Sequence, residues 1–454
     1  MSFTYDYDDY YDYEDYDREE NLFRDKPVPK ERTSSGRHKS SSSVPLSDKG
    51  VIDSWYMREY VLDTTCRIVF TDSSDERIPK DNPRFRISDI ASTENIYVTW
   101  DRDSAFIHSE SGQFLAGDAA SGMFSRKKDL ALIEGLERLD VSKSRDMSEM
   151  FSGCKSLTSL NLTGWDTKNA RSLKKIFAGC SSLKELTIPG FDLRNVTDAS
   201  FLFSGCEALK ALDLSTWKVR GFENGKSMFE GASGLETLDL TGWKSDLTIT
   251  RDMFRDCTSL REIKSIGFKT GKVRDMSFMF AGCESLKVAN LKRVDTRDLQ
   301  SAIGVFSGCE ELKKVDLAGF HAEHLISLGR FFEGCKSLQR VDLTGLDTEN
   351  VTDTRKMFRG CESLTAIDLT PLNLESVCAM DEMFYGCKAL ESIDLSKAKT
   401  PNLLQNGTAG LFTLCKSLKE VKLPSSPLQA EYIRKAARQA VSVNNYRNRF
   451  RRDG

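Results

Sequence analysis

Residues 381–396, DEMFYGCKALESIDLS, contain a phrase that recurs along most of the chain. Phe384 is followed by Gly-Cys at 386–387 and then by Leu390, and nearly the same spacing is found eleven times. The copies are 26 residues apart in eight of ten intervals, 25 apart once and 28 apart once. A fixed period in the twenties indicates a solenoid of stacked coils. The phenylalanines of this column are Phe151, Phe177, Phe203, Phe229, Phe254, Phe280, Phe306, Phe332, Phe358, Phe384 and Phe412.

Each phrase continues into a leucine pattern, which is Leu157, Leu160 and Leu162 in the first copy. The alternation of apolar and polar residues predicts a short strand with inward-pointing leucines. One coil cannot bury both of its apolar edges, so neighbouring coils must stack. An incomplete copy starts at about residue 134. The sequence therefore predicts an α/β repeat fold, a leucine-rich-repeat solenoid of about 11–12 coils with a 26-residue period.

The segment that precedes each strand follows the pattern D-x-x-M-F-x-G-C. Its apolar residues are three and four apart, which predicts a short helix or 3₁₀ turn on the side opposite the strand. Glycines such as Gly153 and Gly179 would let the chain leave this helix with a positive φ. Aromatic residues in the turn after the strand, such as Trp217 and Trp243, are predicted to cover the edge of a coil.

Ten of the twelve cysteines occupy one slot of the repeat, three residues after the phenylalanine, and Ala232 is the exception. Residues in one slot of successive strand-paired layers lie about 4.8 Å apart and point the same way. A disulfide needs Cβ atoms about 3.8 Å apart that face each other. Because no Cys-x-x-Cys pair is present either, we predict buried free thiols and no metal site. This structural column is Cys154, Cys180, Cys206, Cys257, Cys283, Cys309, Cys335, Cys361, Cys387 and Cys415.

The flanking segments predict caps and charged tails. Residues 1–50 begin with six Tyr and nine acidic residues in the first twenty and then become basic and Ser-rich, which is typical of a disordered arm. Residues 51–130 alternate β-branched and aromatic residues and predict a small β-rich cap on a solenoid spanning 131–424. Residues 425–454 predict a capping helix and a basic tail: Ser426 is the N-cap, and Leu428, Tyr432, Ile433, Ala436, Ala440 and Val441 form the apolar face.

Composition and motifs exclude several classes of function. The net charge is −3, so nothing global indicates a nucleic-acid binder, and we expect no nucleic-acid partner. No apolar run approaches the roughly 18–20 residues that cross a bilayer, so no transmembrane segment is expected. The N-terminus has no basic segment followed by a hydrophobic stretch. Without a phosphate-binding Gly-rich loop or a G-x-S-x-G motif, we expect no enzymatic activity and no cofactor. His321 and His324 resemble a metal half-site only in their letters and predict a surface loop.

The outward residue of each strand is the candidate binding site. Stacked carboxylates about 4.8 Å apart repel each other, so something must offset them. One interpretation is an acidic stripe for a basic partner, bounded by the cations Lys314 and Arg340; a Ca²⁺ site is another. The alternative is that each Asp accepts the backbone N–H of the following turn. The stripe contains Asp213, Asp239, Asp316, Asp342, Asp368 and Asp394.

The copies FDLRNVTDASFLFSGCEALKALDLS (191–215) and MFRGCESLTAIDLT (357–370) resemble the BspA-like leucine-rich repeat proteins of bacteria. The lead-in IVFTDS (68–73) and residues 96–124 also resemble that family, and the likeness extends over roughly residues 65–424. The cysteine precedes the strand here, whereas ordinary leucine-rich repeats place their Asn or Cys after it. The resemblance implies a right-handed, non-catalytic binding solenoid, typically of a secreted or surface-anchored adhesin-like protein.

Two functional hypotheses follow. In the first, the strand face and variable loops recognise a protein or a surface glycan in an adhesin-like role. In the second, the chain is an intracellular scaffold whose oppositely charged tails join copies of the protein. Because the chain begins without a classical export signal, we expect a cytoplasmic location or non-classical export.

Overall fold

The computed structural model describes the chain from the cap to the C-terminal helix, in residues 50–89, 92–118, 120–244, 247–264, 273–291, 294, 296–317, 320–346 and 348–442. The predicted N-terminal arm up to residue 49, the basic tail after residue 442 and the turn around Phe268 lie outside these residues. Within them, one apolar cluster runs without interruption from Ile52 in the cap to Ala437 in the last helix.

The spine of this core is a column of stacked phenylalanine rings. Twelve rings from Phe124 to Phe412 stack with centroids 5.2 to 5.9 Å apart and interplanar angles of 3° to 16°. A second column of turn aromatics includes Trp217 and Trp243, which are buried and stacked 6.1 Å apart. Since the rings sit one per repeat, the copies are layers of a leucine-rich-repeat-like solenoid.

Short parallel strands pair along one side of the layers, which we call the strand face. Leu160 lies opposite Leu186, and Leu212, Leu238 and Ile263 are aligned across three strands. Two predicted strands are not formed: the copies around Val341 and Ile367 have no strand, and their interlayer bonds lengthen to 3.3 Å. The strands are β7 (Leu132–Glu134), β9 (Ser159–Asn161), β10 (Glu185–Thr187), β12 (Ala211–Asp213), β14 (Thr237–Asp239), β15 (Glu262–Lys264), β16 (Val288–Asn290), β17 (Lys314–Asp316), β18 (Ser392–Asp394) and β19 (Glu420–Lys422).

The segment opposite the strands is not helical, so the predicted helix is wrong, but the alternative of a 3₁₀-type turn agrees with the i→i−3 bonds that Ser152 and Cys154 donate to Glu149 and Phe151 at 2.9 and 3.2 Å. Between residues 141 and 405 the described part of the chain contains no helix. In the first copy the N–H groups of Glu149, Phe151 and Gly153 donate to carbonyls of the next layer at 2.7 to 2.9 Å. A helix would need those N–H groups within the segment. Glu149 and Gly153 have φ of 57° and 74°, and this turns alternate N–H groups toward the neighbouring layer.

The remaining side of each layer carries two further parallel ladders. One ladder pairs β11 (Asp192–Leu193) with β13 (Lys218–Val219). The other is a series of single parallel bridges, which we call the bridge edge, and it runs through Asp146, Ser172, Asp198, Asn224, Ile249, Asp275, Ser301, Ser327, Asp353 and Ala379.

The cap is continuous with the solenoid. Helix α1 (Ser54–Tyr60) begins at Asp53, whose side chain accepts from the N–H groups of Trp55 and Tyr56. The strand β7 of the first layer is the edge of the five-stranded cap sheet. The cap strands are β1 (Gly50–Ile52), β2 (Arg67–Asp72), β3 (Phe85–Arg86), β4 (Tyr97–Asp101), β5 (Ser104–Ser109) and β6 (Phe114–Ala116), and β8 (Leu139–Asp140) pairs with β6.

The C-terminal helix α2 (Pro427–Ser442) covers the last layers with a face that agrees with the predicted one only in part. Ile433 and Ala436 are buried as predicted, together with Ala430 and Ala437, whereas Leu428 is 57 % exposed. Gln429 is buried as well, and its side-chain amide nitrogen Nε2 donates to the carbonyl of Pro401 at 3.2 Å. This bond directs the first turn toward Pro401, and the apolar stripe is rotated away from Leu428.

Candidate binding face

The acidic stripe, which we call the acidic lane, lies on the strand face. Each of its aspartates follows an inward apolar residue, and the strand register places Asp213 opposite Asp239. Asp239 lies opposite Lys264, and Asp394 lies opposite Lys422 with Nζ 3.1 Å from Oδ2. Asp316, Asp342, Asp368 and Asp394 belong to four consecutive copies. The lane is therefore a row of carboxylates with cations at two points.

Five aspartates of the lane each accept the backbone N–H of the residue two positions later. The distance from Oδ1 to that nitrogen is 2.9 Å at Asp213, Asp239, Asp342, Asp368 and Asp394. These bonds are Asx turns and terminate the strand. One carboxylate oxygen is thereby used by the fold. The second oxygen faces Lys264 at Asp239 and Lys422 at Asp394, and it remains for solvent or a partner at Asp213, Asp342 and Asp368.

Hydrogen bonds lower the pKa of three carboxylates of the lane. The Ser215 hydroxyl and N–H lower the pKa of Asp213, and the same groups of Thr344 lower the pKa of Asp342. At Asp394 the Ser396 hydroxyl and N–H, with Lys422, lower the pKa to about 2. These three carboxylates are therefore negative at neutral pH.

A group of cations, which we call the basic patch, lies beside the lane. Lys314 precedes Asp316 by two residues on β17, so the two lie about 6.6 Å apart on the same face of the strand. Arg340 precedes Asp342 by two residues in the next copy. Lys313 and Lys287 are exposed next to them. Lys287 has an ion pair with Glu311 at 3.6 Å, whereas the described residues offer no ion pair to Lys313, Lys314 or Arg340.

An apolar side chain sits within the basic patch. Val288, which follows Lys287 on β16, is 58 % exposed and pairs in register with Lys314. Sequence reasoning identified Lys314 and Arg340 but missed Lys287, Val288 and Lys313. The sequence carried a signal for them, because Val288 directly precedes the inward residue of its copy, and Lys287 and Lys313 lie two residues before the inward residues of two adjacent copies.

The cysteine column has a structural role. All ten thiols are free and buried, and each Sγ donates to the carbonyl of the phenylalanine one layer earlier, at 3.0 to 3.2 Å. Burial raises the pKa of the Cys154 and Cys206 thiols to about 12. A protonated thiol is a donor and not a nucleophile or metal ligand, so this column supplies no reactive chemistry.

Sequence reasoning missed the first layer of the ring column. Phe124 stacks on Phe151 at 5.2 Å, but the cysteine slot of its copy holds Lys127. Lys127 is buried, and its Nζ donates to the Arg58 carbonyl and to Asp63 Oδ1, both at 2.9 Å. The sequence feature that could have revealed this layer is Met123-Phe124, because Phe124 lies 27 residues before Phe151. Lys127 joins α1 of the cap to the solenoid.

Two further observations concern metals and membranes. His321 and His324 are both exposed. Within the part of the chain that the structure describes, no group of three or more His, Cys, Asp or Glu side chains is arranged to hold a metal ion. Neither α1 nor α2, nor any other helix in the described residues, is long and apolar enough to cross a membrane.

Comparison with solved structures finds distant similarities. A chain in the structure of the Toll–Spatzle complex, described as a molecular hub in Drosophila development and innate immunity, is 14% identical, with 71% of this chain and 41% of that chain covered and a TM-score of 0.27. Its glycosylated form gives 13% identity, coverages of 74% and 45%, and a TM-score of 0.30. A chain of the TLR13–ssRNA13 complex is 18% identical, with 66% of this chain and 48% of that chain covered and a TM-score of 0.18. This chain spans less than half the length of each of these chains.

Among curated proteins, no match is found. The family described as "Mycoplasma protein of unknown function, DUF285" matches four overlapping ranges, 118–243, 171–293, 247–363 and 326–421. The overlaps are expected when a family unit of several repeats fits a longer array in different registers. Because the ranges together span residues 118–421, well over half of its length, this chain belongs to the DUF285 family.

Proposed function

We propose that this chain is a non-catalytic binding protein and that its strand face recognises a protein partner. The observation that carries this proposal is the basic patch beside the acidic lane, with Val288 exposed between the cations. A partner that buries this region would meet both signs of charge about 6.6 Å apart. Such a pattern sets the orientation and the identity of a partner more than it sets raw affinity.

The fold does not neutralise this surface. Lys313, Lys314 and Arg340 lack ion pairs among the described residues, whereas other cations of the strand face are paired, as Lys422 is with Asp394 at 3.1 Å and Lys264 is with Asp239 at 4.0 Å. Unpaired cations around an exposed apolar side chain are typical of a recognition surface with a small apolar centre and a charged rim. The partner would present carboxylates to the patch and cations to the acidic lane.

Two further points support a binding role without catalysis. The ten buried thiols stay protonated, and the described residues hold no cluster of metal ligands. The resemblance to BspA-like repeat proteins favours an adhesin-like role for the strand face. In that role the partner would be a protein on another surface, and successive repeats would present the acidic lane and the basic patch to it over several layers.

The proposal is tested by capture of partners from the native cell with four forms of the full chain. One is unchanged, one carries Lys313→Glu, Lys314→Glu and Arg340→Glu, and one carries Asp342→Asn and Asp368→Asn. The last substitutions remove charge but keep the oxygen that accepts the turn N–H. A control variant carries Lys174→Glu and Arg274→Glu, two exposed cations away from the strand face.

Covalent cross-linking followed by mass spectrometry identifies what each form captures. We expect one or more proteins that are captured by the unchanged chain and the control but lost from both strand-face variants. Far-ultraviolet circular dichroism and urea unfolding verify that all four forms are folded. Capture that is equal in all four forms would reject the strand face as the recognition surface.

A further inference from the structure

A polar groove of about 510 Å³ opens on the bridge edge of the first layers. It is lined by Arg145, Asn169, Arg171, Asn195 and Thr197. The arginines and Thr197 directly precede the bridged residues Asp146, Ser172 and Asp198. The groove therefore lies on a different side of the layers from the acidic lane and the basic patch.

Two like charges are held side by side in this groove. The backbone N–H of Arg171 donates to the carbonyl of Arg145 at 2.8 Å, so the two arginines stand one layer apart. Like charges at that spacing repel each other. Arg145 is 62 % exposed, and its Nε lies 3.6 Å from Asp118 Oδ1. For Arg171 the described residues provide no ion pair, so the second charge is not neutralised within the described chain.

The nearby carboxylates are used elsewhere. Asp146 and Asp198 each accept a backbone N–H through Oδ1, from Ser148 and Ser200, at 2.9 Å. These bonds fix the turns that follow the bridge edge. The groove consequently has a positive wall whose charge the adjacent aspartates offset only in part.

The rest of the lining is neutral and polar. Asn169 and Asn195 donate Nδ2 to the carbonyls of Ser142 and Lys168 at 2.7 and 2.8 Å. Asn350 makes the same bond, to Glu323 at 2.7 Å, so this bond is part of the repeat. Within the described residues, the Oδ1 atoms of Asn169 and Asn195 have no hydrogen-bond partner. They and the Thr197 hydroxyl can meet the hydroxyl groups of a ligand.

We propose that this groove binds an anionic carbohydrate. A sulfate or carboxylate group would lie between the guanidinium groups of Arg145 and Arg171, where charge-assisted bonds replace the repulsion. Sugar hydroxyls would donate to the amide oxygens of Asn169 and Asn195 and bond to Thr197. This site is independent of the protein-binding strand face, and either proposal can fail without the other.

The same edge supplies a matched control. In later copies the position of Arg171 is occupied by Glu223, Thr248, Arg274 and Gln300. Arg274 is exposed and has Thr248 and Gln300 as its ladder neighbours, so it is a single arginine and not a pair. Arg274→Glu changes charge by the same amount per site as a substitution in the groove, on the same ladder and without altering the groove.

The test is a titration of the full chain with four probes: sulfated dextran, neutral dextran of equal length, hyaluronate oligosaccharide, and a DNA duplex. The proteins are the unchanged chain, Arg145→Glu with Arg171→Glu, Arg274→Glu, and the strand-face variant Lys314→Glu. Because the basic segment 447–452 also attracts polyanions, all four are prepared with its arginines replaced by glutamine. Circular dichroism and urea unfolding establish that each is folded.

We expect the unchanged chain, Arg274→Glu and Lys314→Glu to bind sulfated dextran or hyaluronate, and the double groove variant to bind about tenfold more weakly or worse. Neutral dextran should bind to none of them. Equal affinity of the double variant and the unchanged chain, or equal binding of neutral dextran, would overturn the proposal. A DNA duplex that binds as tightly through the same two arginines would also overturn it, because the groove would then select phosphate and not sugar.

Discussion

The thiol column allows a quantitative test of what holds the layers together. Ten copies carry a cysteine whose Sγ donates to the phenylalanine carbonyl of the preceding layer, and the copy with Ala232 has no such group. The Ala232 layer has not closed around the missing sulfur, since the Phe203–Phe229 centroid distance of 5.5 Å lies within the range of the other steps. The perturbation is therefore Ala232→Cys, compared with Cys180→Ala and Cys335→Ala.

The magnitude follows from what the sulfur contributes. The phenylalanine carbonyl that accepts the thiol also accepts a backbone N–H from its own layer, as the Phe151 carbonyl does from Cys154 at 3.2 Å, so loss of the Cys180 thiol does not leave it without a donor. Removal of a fully buried atom about the size of a methylene costs about 0.8 kcal/mol in transfer free energy, and a residual cavity adds to it. We expect Cys180→Ala and Cys335→Ala each to lower the free energy of unfolding by about 1–2 kcal/mol. Ala232→Cys should raise it by about 1 kcal/mol.

The assay is equilibrium unfolding in urea under reducing conditions, followed by circular dichroism. Repeat arrays are stabilised by their own layers and by nearest neighbours, so hydrogen exchange near the substituted layer provides a local readout. Slower exchange around Phe203 and Phe229 in Ala232→Cys would agree with a filled gap. The reasoning is refuted if Ala232→Cys is destabilising while both Cys→Ala variants are neutral, because sulfur would then be tolerated and not stabilising.

Three other predictions follow from the described contacts. Lys127→Cys gives the first layer the residue found in most of the others but removes the bonds to Arg58 and Asp63. The amides of α1 should therefore exchange faster, and the free energy of unfolding should fall by about 2 kcal/mol. His108 is buried between Thr99 and Ser73, and burial lowers its pKa to about 4. As the pH falls, the unfolded chain takes up this proton before the folded chain does. The free energy of unfolding, measured by urea titration at each pH, should therefore decrease between about pH 6.5 and 4 by at most about 3 kcal/mol. Asp342→Asn with Asp368→Asn should leave the urea midpoint unchanged, because the amide oxygen can accept the same turn N–H.

Each of these has a control and a contrary outcome. Unchanged exchange in α1 for Lys127→Cys would mean that the cap is held by its apolar contacts alone. His108→Gln should flatten the extra pH dependence, and an identical slope in that variant would assign it to other groups. A large loss of stability in the Asp→Asn pair would show that the negative charges themselves maintain the strand face.

The repeat itself could be predicted from the sequence because its physical cause is local. The period, the inward leucines and the phenylalanine column all express the need of one coil to bury its apolar edges against the next. The turn opposite the strands could not be predicted in the same way. Its apolar spacing matches a helix, but its N–H groups donate to the next layer, with Glu149 at a φ of 57°. Apolar periodicity carries no information about where an N–H finds its acceptor.

Other features were hidden because one residue departs from the pattern. The layer of Phe124 was missed because Lys127, and not a cysteine, occupies its cysteine slot. A charged side chain is buried at this position only because Arg58 and Asp63 of the cap accept its hydrogen bonds. Leu428 was assigned to the buried face of α2, but the contact of Gln429 with Pro401 decides how the helix lies. The pairing of Arg145 with Arg171 also depended on the layer register, which aligns residues 26 apart only when the bridge edge is known.

An Asx side chain ends most of the strands, but the fold does not need a negative charge there. Asn161 occupies the same position in the first copy, and its Oδ1 accepts the Thr163 N–H at 3.0 Å, as the aspartates do at 2.9 Å. Lys264 and Lys422 occupy it in two other copies, and their strands still form. Stacked aspartates such as Asp213 and Asp239 add a repulsion that asparagine would avoid. Because an uncharged Asn makes the same turn bond, the charge of the acidic lane is consistent with the partner binding that we propose for the strand face.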